Sequence, residues 1–446
     1  MNVNNLIYDT HENPRTIKEW VLYAMQMLMA VFVATVLIST ICGTPVDAGL
    51  LGACLGTLTY QVITKFKSPV FISNSGATVS AVLGALALGV VPNYFAVFIG
   101  GIIILAVYSA FAFFVKARGI EVFNRLFPAY IIGPITIVIG LNLAGFIPTY
   151  VGLGGVSSNI NVLVAIAVML VVAVSSHYFK GFLKTIPFLI GLVFGFIVCL
   201  ILEVSGTASY GIIESLSNIN GIFSVPSFAF LNWADGFKTF DFGTFINVVL
   251  LFVPIAICAL CEHYSDHMVM SNIIGHDLTK DPGLHRTLVG DGAATVVGTI
   301  FGGQPNTSYG ESTAMVGFSR VASVKVVSLA ALMMGLLAFI QPIQVFISTI
   351  PSCVFGGCAM ILYGYIACSG LKTLMRNKVD LEVNKNLIVV SVILTVGVSG
   401  IYLFSNSFAG VSLAMVLGVL LNLLLRVKQP KKDSKIEPNS FADEEI

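Results

Sequence analysis

Charge is what this chain has least of. Only 10% of its 446 residues are Asp, Glu, Lys or Arg, against about a quarter in an ordinary soluble protein. Because 57% are hydrophobic, a soluble multidomain enzyme is excluded and an all-α polytopic membrane protein is expected. Metal-type cysteine motifs are missing as well. Of the eight cysteines, Cys54, Cys199, Cys258, Cys261 and Cys368 lie inside apolar runs and none forms a paired motif across two loops, so they read as small core residues. No cleavable leader is visible. The first apolar run follows the polar stretch Asn2 to Glu19 and is long enough to span, so it is expected to stay attached as the first helix. A net charge of +1 points to no nucleic-acid partner, and in a membrane protein the placement of charge carries the information.

Apolar stretches recur from Trp20 to Leu425, each near the roughly 20 residues that cross a hydrocarbon core of about 30 Å. They predict fourteen segments: 18–41, 47–64, 69–90, 94–117, 122–147, 161–179 and 183–204, then 243–269, 286–302, 308–321, 325–346, 350–371, 386–404 and 408–426. Basic residues collect at every second connection, as Lys65 and Lys67, Lys116 and Arg118, Lys180 and Lys184, Lys280 and Arg286, Arg320 and Lys325, and Lys372 to Lys385. By the positive-inside rule both termini are cytoplasmic, with only Lys238 falling outside. Seven segments per half is odd, so the second half enters the membrane from the opposite side. The result is a 7+7 inverted repeat, a construction typical of secondary transporters, joined by a long external connection over 205–242.

Two segments at matching places, the third and the tenth, are interrupted. Ser73, Asn74, Ser75 and Gly76 break one, while Gly302 and, within "GQPNTSYGES", Gly303, Pro305 and Gly310 break the other. Irregular backbone at membrane depth survives only where it is buried in protein or lines a wet cavity. An extended segment feeding a half-helix is therefore expected at the tenth segment, with free N–H groups facing a cavity. The plainer alternative is an ordinary loop.

Apart from Glu19, Asp47 and Glu203 at segment ends, four acids lie inside these segments: Glu262, Asp266, Asp291 and Glu311. Each costs at least about 2.5 to 3.5 kcal/mol at membrane depth, which makes it a functional candidate with a partner to be found. Glu262 and Asp266 are spaced i, i+4 and share a helix face. Such close like charges disfavour simultaneous ionisation, which suits proton coupling. Structural readings compete: each acid could cap backbone or pair with His263, His267 or Arg286. His263 and His267, with Glu262 or Asp266, could also bind a metal, as in a membrane-embedded hydrolase. The order Glu-His-x-x-Asp-His departs from the His-Glu-x-x-His of zinc hydrolases, so no metal ligand, no cofactor and no enzyme activity is assigned. A passive channel is disfavoured because the acids do not repeat as a ring.

At these residues the sequence resembles the nucleobase/ascorbate transporter family. The likeness covers nearly the whole chain and is carried by "EHYSDHMVMSNI", "KDPGLHRTLVGDG" and "GGQPNTSYGESTAMVGFSR". It implies a fourteen-helix fold with short antiparallel strands in segments three and ten, usually dimeric, in the inner or plasma membrane. The implied division is a cytoplasmic start (1–17), a core domain (18–117 and 243–346), a gate domain (118–204 and 347–426), the external connection (205–242) and a cytoplasmic tail (427–446). The implied activity is import of a nucleobase with protons, uracil first and xanthine or another purine as the alternative. An anion carrier of similar fold is the more distant reading. Carried over by position, Glu262, Glu311, Tyr309, Gly310, Gly76 and Ala34 are substrate-binding residues, and Asp266, Glu262 and Asp291 couple protons. Gln26 also matches, whereas Met27 stands where the family commonly has histidine, and Asp266 where its uracil carriers have histidine.

Overall fold

The computed structural model describes residues 6–425 apart from 91–93, 120–124, 153–158, 181–182, 185, 218, 220 and 404–407. The expected tail, 427–446, lies outside the described residues. Helices of nine residues or more are labelled α1 to α14 in chain order. They are α1 (Ile17–Cys42), α2 (Val46–Ile63), α3 (Val79–Ala87), α4 (Phe95–Arg118), α5 (Ala129–Ala144), α6 (Asn159–Tyr178) and α7 (Pro187–Val204), followed by α8 (Phe242–Ile274), α9 (Leu284–Ile300), α10 (Gly310–Ser319), α11 (Val324–Leu337), α12 (Ser352–Arg376), α13 (Asn384–Val398) and α14 (Val411–Leu424). Strand β1 (Ile72–Asn74) precedes α3, and β2 (Asn306–Ser308) precedes α10. Among the described residues, eight helices are long and apolar enough to cross a membrane, and α11, α13 and α14 are shorter apolar helices. The chain is a multi-pass membrane protein.

Helix ends follow local chemistry. Thr16 caps α1 by accepting from Glu19 N–H, and Gly43 closes that helix in the left-handed region at φ 65°. Asp241 caps α8 through Thr244 N–H at 2.7 Å, and α8 then runs for 33 residues, past the expected end at 269, until Gly275 at φ 69°. Pro342 opens a separate short helix, Gln341–Ser348, so the expected eleventh segment is divided. The fifth starts at 129, behind Pro128, later than the expected 122. In the connection over 205–242 the described residues form short helices at Ile212–Ser217 and Trp233–Thr239.

The helices pack as two sets. One contains α1, α2, α4, α8, α9, α10 and α11, the other α5, α6, α7, α12, α13 and α14. In each set one crossing brings glycines of two helices together. A Cβ on Gly52 would lie 2.9 Å from Gly298 Cα, where α2 meets α9. One on Gly370 would lie 2.4 Å from the Gly133 carbonyl, where α12 meets α5. Small residues allow backbones to approach this closely, so van der Waals packing can hold helices together where lipid offers no hydrophobic drive.

The half-helices α3 and α10 have 9 and 10 residues. At 1.5 Å per residue each covers about 14 Å, half of a hydrocarbon core. Their strands pair antiparallel across the gap, Ile72 with Ser308, Ser73 with Thr307 and Asn74 with Asn306.

Candidate functional site

The strand pair is too short to satisfy its own polar groups, and the surrounding helices complete it. Asn74 Nδ2 donates to the Thr35 carbonyl (3.0 Å) and to Ser39 Oγ (2.8 Å) on α1. Asn306 Nδ2 donates to the Gly52 carbonyl (2.9 Å) on α2 and the Ala294 carbonyl (3.1 Å) on α9. Thr57 Oγ1 donates to the Ile72 carbonyl at 2.8 Å, and Thr295 Oγ1 to the Asn306 carbonyl at 2.6 Å. Outside the ladder, Ser75 N–H donates to Pro305 O and Tyr309 N–H to Phe71 O. Extended backbone is thereby fixed in the interior, where unpaired peptide groups would be costly. Tyr309 is still extended, and α10 begins at Gly310, so its first N–H groups open beside the strands.

Around this crossing most of the expected site residues meet. Ser308 Oγ donates to Asp266 Oδ2 at 3.2 Å, joining β2 to α8. A Cβ on Gly310 would lie 3.9 Å from Asp266 Oδ1, so the first turn of α10 faces the same carboxylate. Glu262 and Asp266 both lie within Coulombic range of Glu311. All three acids are partly exposed and Gly310 is open, whereas Tyr309 is buried and its hydroxyl has no partner among the described residues. Ala34 is buried on α1 beside Thr35, whose Oγ1 is 2.7 Å from Ser73 Oγ of β1. Gly76, partly exposed, lies two residues after β1, and a Cβ there would meet Ile366 Cδ1 of α12 at 3.6 Å.

Asp291 stands apart. It is fully buried on α9, with Oδ2 2.6 Å from His263 Nδ1 and 3.4 Å from Thr307 Oγ1, which donates to it. Of the pairings open to it in the sequence, the histidine is realised and Arg286 is not. His267 Nδ1 donates to the His263 carbonyl (2.8 Å), and its Nε2 is 2.6 Å from the Tyr60 hydroxyl. Among the described residues no group of three or more His, Cys, Asp or Glu side chains is placed to hold a metal ion.

Sequence reasoning missed Ser308, Thr307, Asn74 and Asn306 as parts of this arrangement. Their signal was present in the two interrupted segments, where each strand carries an asparagine next to a hydroxyl residue ("SNS" and "PNTS"). A cavity of about 1010 Å³ opens on the neighbouring face of α8, between Tyr264, Ser265, Met268 and Asn272 on one side and Tyr130 and Thr373 on the other.

Residues 18–406 match a family described as a permease family. The chain is 33% identical to the uracil permease of Bacillus caldolyticus, over 98% of this chain and 99% of that one. It is 34% identical to the uracil permease of Escherichia coli K12, over 91% of this chain and 90% of the other. Among solved structures it is similar to the transmembrane domain of a cyanobacterial bicarbonate transporter, BicA, with a TM-score of 0.61, 14% identity, and coverage of 93% of this chain and 98% of that one. At that identity the likeness speaks to the fold alone.

Proposed function

Because the chain belongs to this permease family, we propose that it is a secondary transporter that imports a nucleobase, uracil first, together with protons. The single observation that carries the reading is the junction of Asp266 with Ser308, which brings the acids of α8 to the strand crossing where Glu311 starts a half-helix. Uracil has two ring N–H donors and two carbonyl acceptors, and leaving such a group buried without a partner costs about 1–3 kcal/mol. Carboxylates supply charge-assisted acceptors for the N–H groups, and the open N–H groups of the half-helices supply donors for the carbonyls. Glu262 and Glu311 grip the base, Tyr309, Gly310, Gly76 and Ala34 line its place, and Asp266, Glu262 and Asp291 handle the proton. Three partly exposed carboxylates in one place repel an anionic cargo, which argues against the anion carriers that share the fold.

The proposed architecture is fourteen segments in a 7+7 inverted repeat, with the core domain at 18–117 and 243–346 and the gate domain at 118–204 and 347–426. Its support is that second meets ninth (α2 on α9), third meets tenth (β1 on β2) and fifth meets twelfth (α5 on α12), each segment touching its counterpart seven places on. Cytoplasmic termini, with 205–242 outside, follow from the basic connections. A homodimer is proposed with it, as the resemblance to the nucleobase/ascorbate transporter family implies.

A thermal-shift panel of free bases on the purified protein tests the substrate. A ligand that binds only the folded state stabilises it by roughly 2.7 kcal/mol at one hundred times its dissociation constant. Uracil is expected to raise the midpoint most; a larger shift with xanthine would move the assignment to purines, and no shift with any base would end it.

A further inference from the structure

Behind the open carboxylates lies a sealed pair. His263 Nδ1 and Asp291 Oδ2 are 2.6 Å apart and neither side chain has exposed surface, so one proton is shared in a short, charge-assisted bond. The pair has two further places for a proton, His263 Nε2 and Asp291 Oδ1. Both are buried without a hydrogen-bond partner among the described residues.

The groups facing the pair add no fixed positive charge. On α8, His267 lies against His263 with ring centroids 3.9 Å apart, and the carboxylates of Glu262 and Asp266 feel the charge on Asp291. From α4 comes the neutral phenol of Tyr108, 6.5 Å between ring centroids. From α2, Tyr60 reaches His267 of this group, β2 contributes the Thr307 hydroxyl, and α10 adds the charge of Glu311, which acts on Glu262. With one shared proton the pair carries a net negative charge; a second proton makes it neutral. A buried neutral pair is far less costly than a buried net charge, and the surrounding carboxylates act in the same direction.

We propose that the coupling proton is held jointly by His263 and Asp291, which adds His263 to the residues that couple protons. This rests on the proton-symport reading above. The step moves one proton from water on one side onto His263 Nε2, leaving an imidazolium paired with the Asp291 carboxylate and no net charge, and returns it to water on the other; no other bond is made or broken. The pair is wired to both flanks of the site. His263 follows Glu262 in α8, and Thr307, which donates to Asp291, precedes the Ser308 that holds Asp266. Neutralising the pair removes a negative charge behind Glu262 and Asp266, so affinity for the base rises as pH falls.

His263→Asn tests this, because the amide Nδ2 can take the place of imidazole Nδ1 as donor to Asp291 but cannot accept a proton. In the parent, uracil affinity is expected to change about tenfold between about pH 5.5 and about pH 8, and uracil to evoke proton uptake. In His263→Asn the pH difference is expected to fall below about twofold and the proton uptake with it, while uracil counterflow exchange continues. Retention of the parent's pH dependence by the variant overturns the inference, as does loss of uracil binding at every pH, which would make His263 structural. If the parent itself takes up no proton with uracil, it is the symport reading that fails. Should the variant not fold, the parent labelled with isotopic histidine decides: uracil must alter the imidazole infrared bands, and unchanged bands overturn the assignment.

Discussion

The two strand and half-helix units share one scaffold but differ in chemistry. β1 with α3 and β2 with α10 each place three extended residues before a helix of 9 or 10 residues. Each uses one asparagine to tie the strand to neighbouring helices. Yet β1 and α3 contain no ionisable side chain, whereas the second unit holds Glu311, receives Asp266 through Ser308 and reaches Asp291 through Thr307. The shared scaffold supplies a place where backbone can be irregular inside a membrane. Only one of the two units has been loaded with charge, so architecture and chemistry should come apart under mutation.

The largest effect is expected from the charged unit. In Glu311→Gln a charge-assisted acceptor becomes a neutral one, and bonds to charged groups contribute about 1.5–3 kcal/mol, so uracil affinity and uptake at low substrate should fall roughly 10- to 150-fold. Gly76→Ala, after the uncharged strand, adds only a methyl in ordinary contact with Ile366 and should change uptake by less than about threefold. Equal losses in the two variants would abolish the contrast.

Scaffold residues should instead behave alike in both units. Asn74→Ala and Asn306→Ala each remove two hydrogen bonds from a buried strand, and each should lower stability by about 1–3 kcal/mol. Thermal midpoints in detergent measure this. A loss confined to Asn306→Ala would show that the charged unit also carries the structural burden. Asp266→Asn comes next in size. An amide still accepts from Ser308, so uracil binding should be partly retained while proton-driven accumulation falls about tenfold relative to counterflow exchange.

Much of this contrast was legible in the sequence. Apolar run lengths located the long helices, and the Gly, Pro and Ser breaks at 73–76 and 302–310 located the interruptions. Scarcity singled out Glu262, Asp266, Asp291 and Glu311, since intramembrane acids are rare enough to be informative. What could not be read was pairing. Strands of three residues have no periodicity to detect, and nothing local announces that Ile72 faces Ser308. Asp291 illustrates the same limit. Arg286 is nearer in sequence, five residues away on a helix and so off its face, while His263 arrives from another helix at 2.6 Å. Run lengths also failed where a turn is itself apolar, as at Leu337 to Gln341, which hydropathy joins and Pro342 divides.

The smallest effect should lie outside both units, at the loop ends that tie the segment after α2 to the turn before α9. Lys67 Nζ donates to both oxygens of Asp281, at 2.7 and 2.8 Å, and that contact holds the Asp281 carboxyl below the usual carboxylate range despite some opposing desolvation. A carboxyl depressed in the folded state contributes stability that is fully present above its unfolded value, near about pH 4, and is lost as pH falls through the folded one. Both side chains are substantially exposed, so screening by solvent keeps the contribution small. Asp281→Asn should therefore lower the thermal midpoint at neutral pH by no more than about 1–2 °C, and the difference from the parent should vanish in acid. A shift as large as that of Asn306→Ala would mean that the strand crossing depends on its surface ties as much as on its buried asparagines.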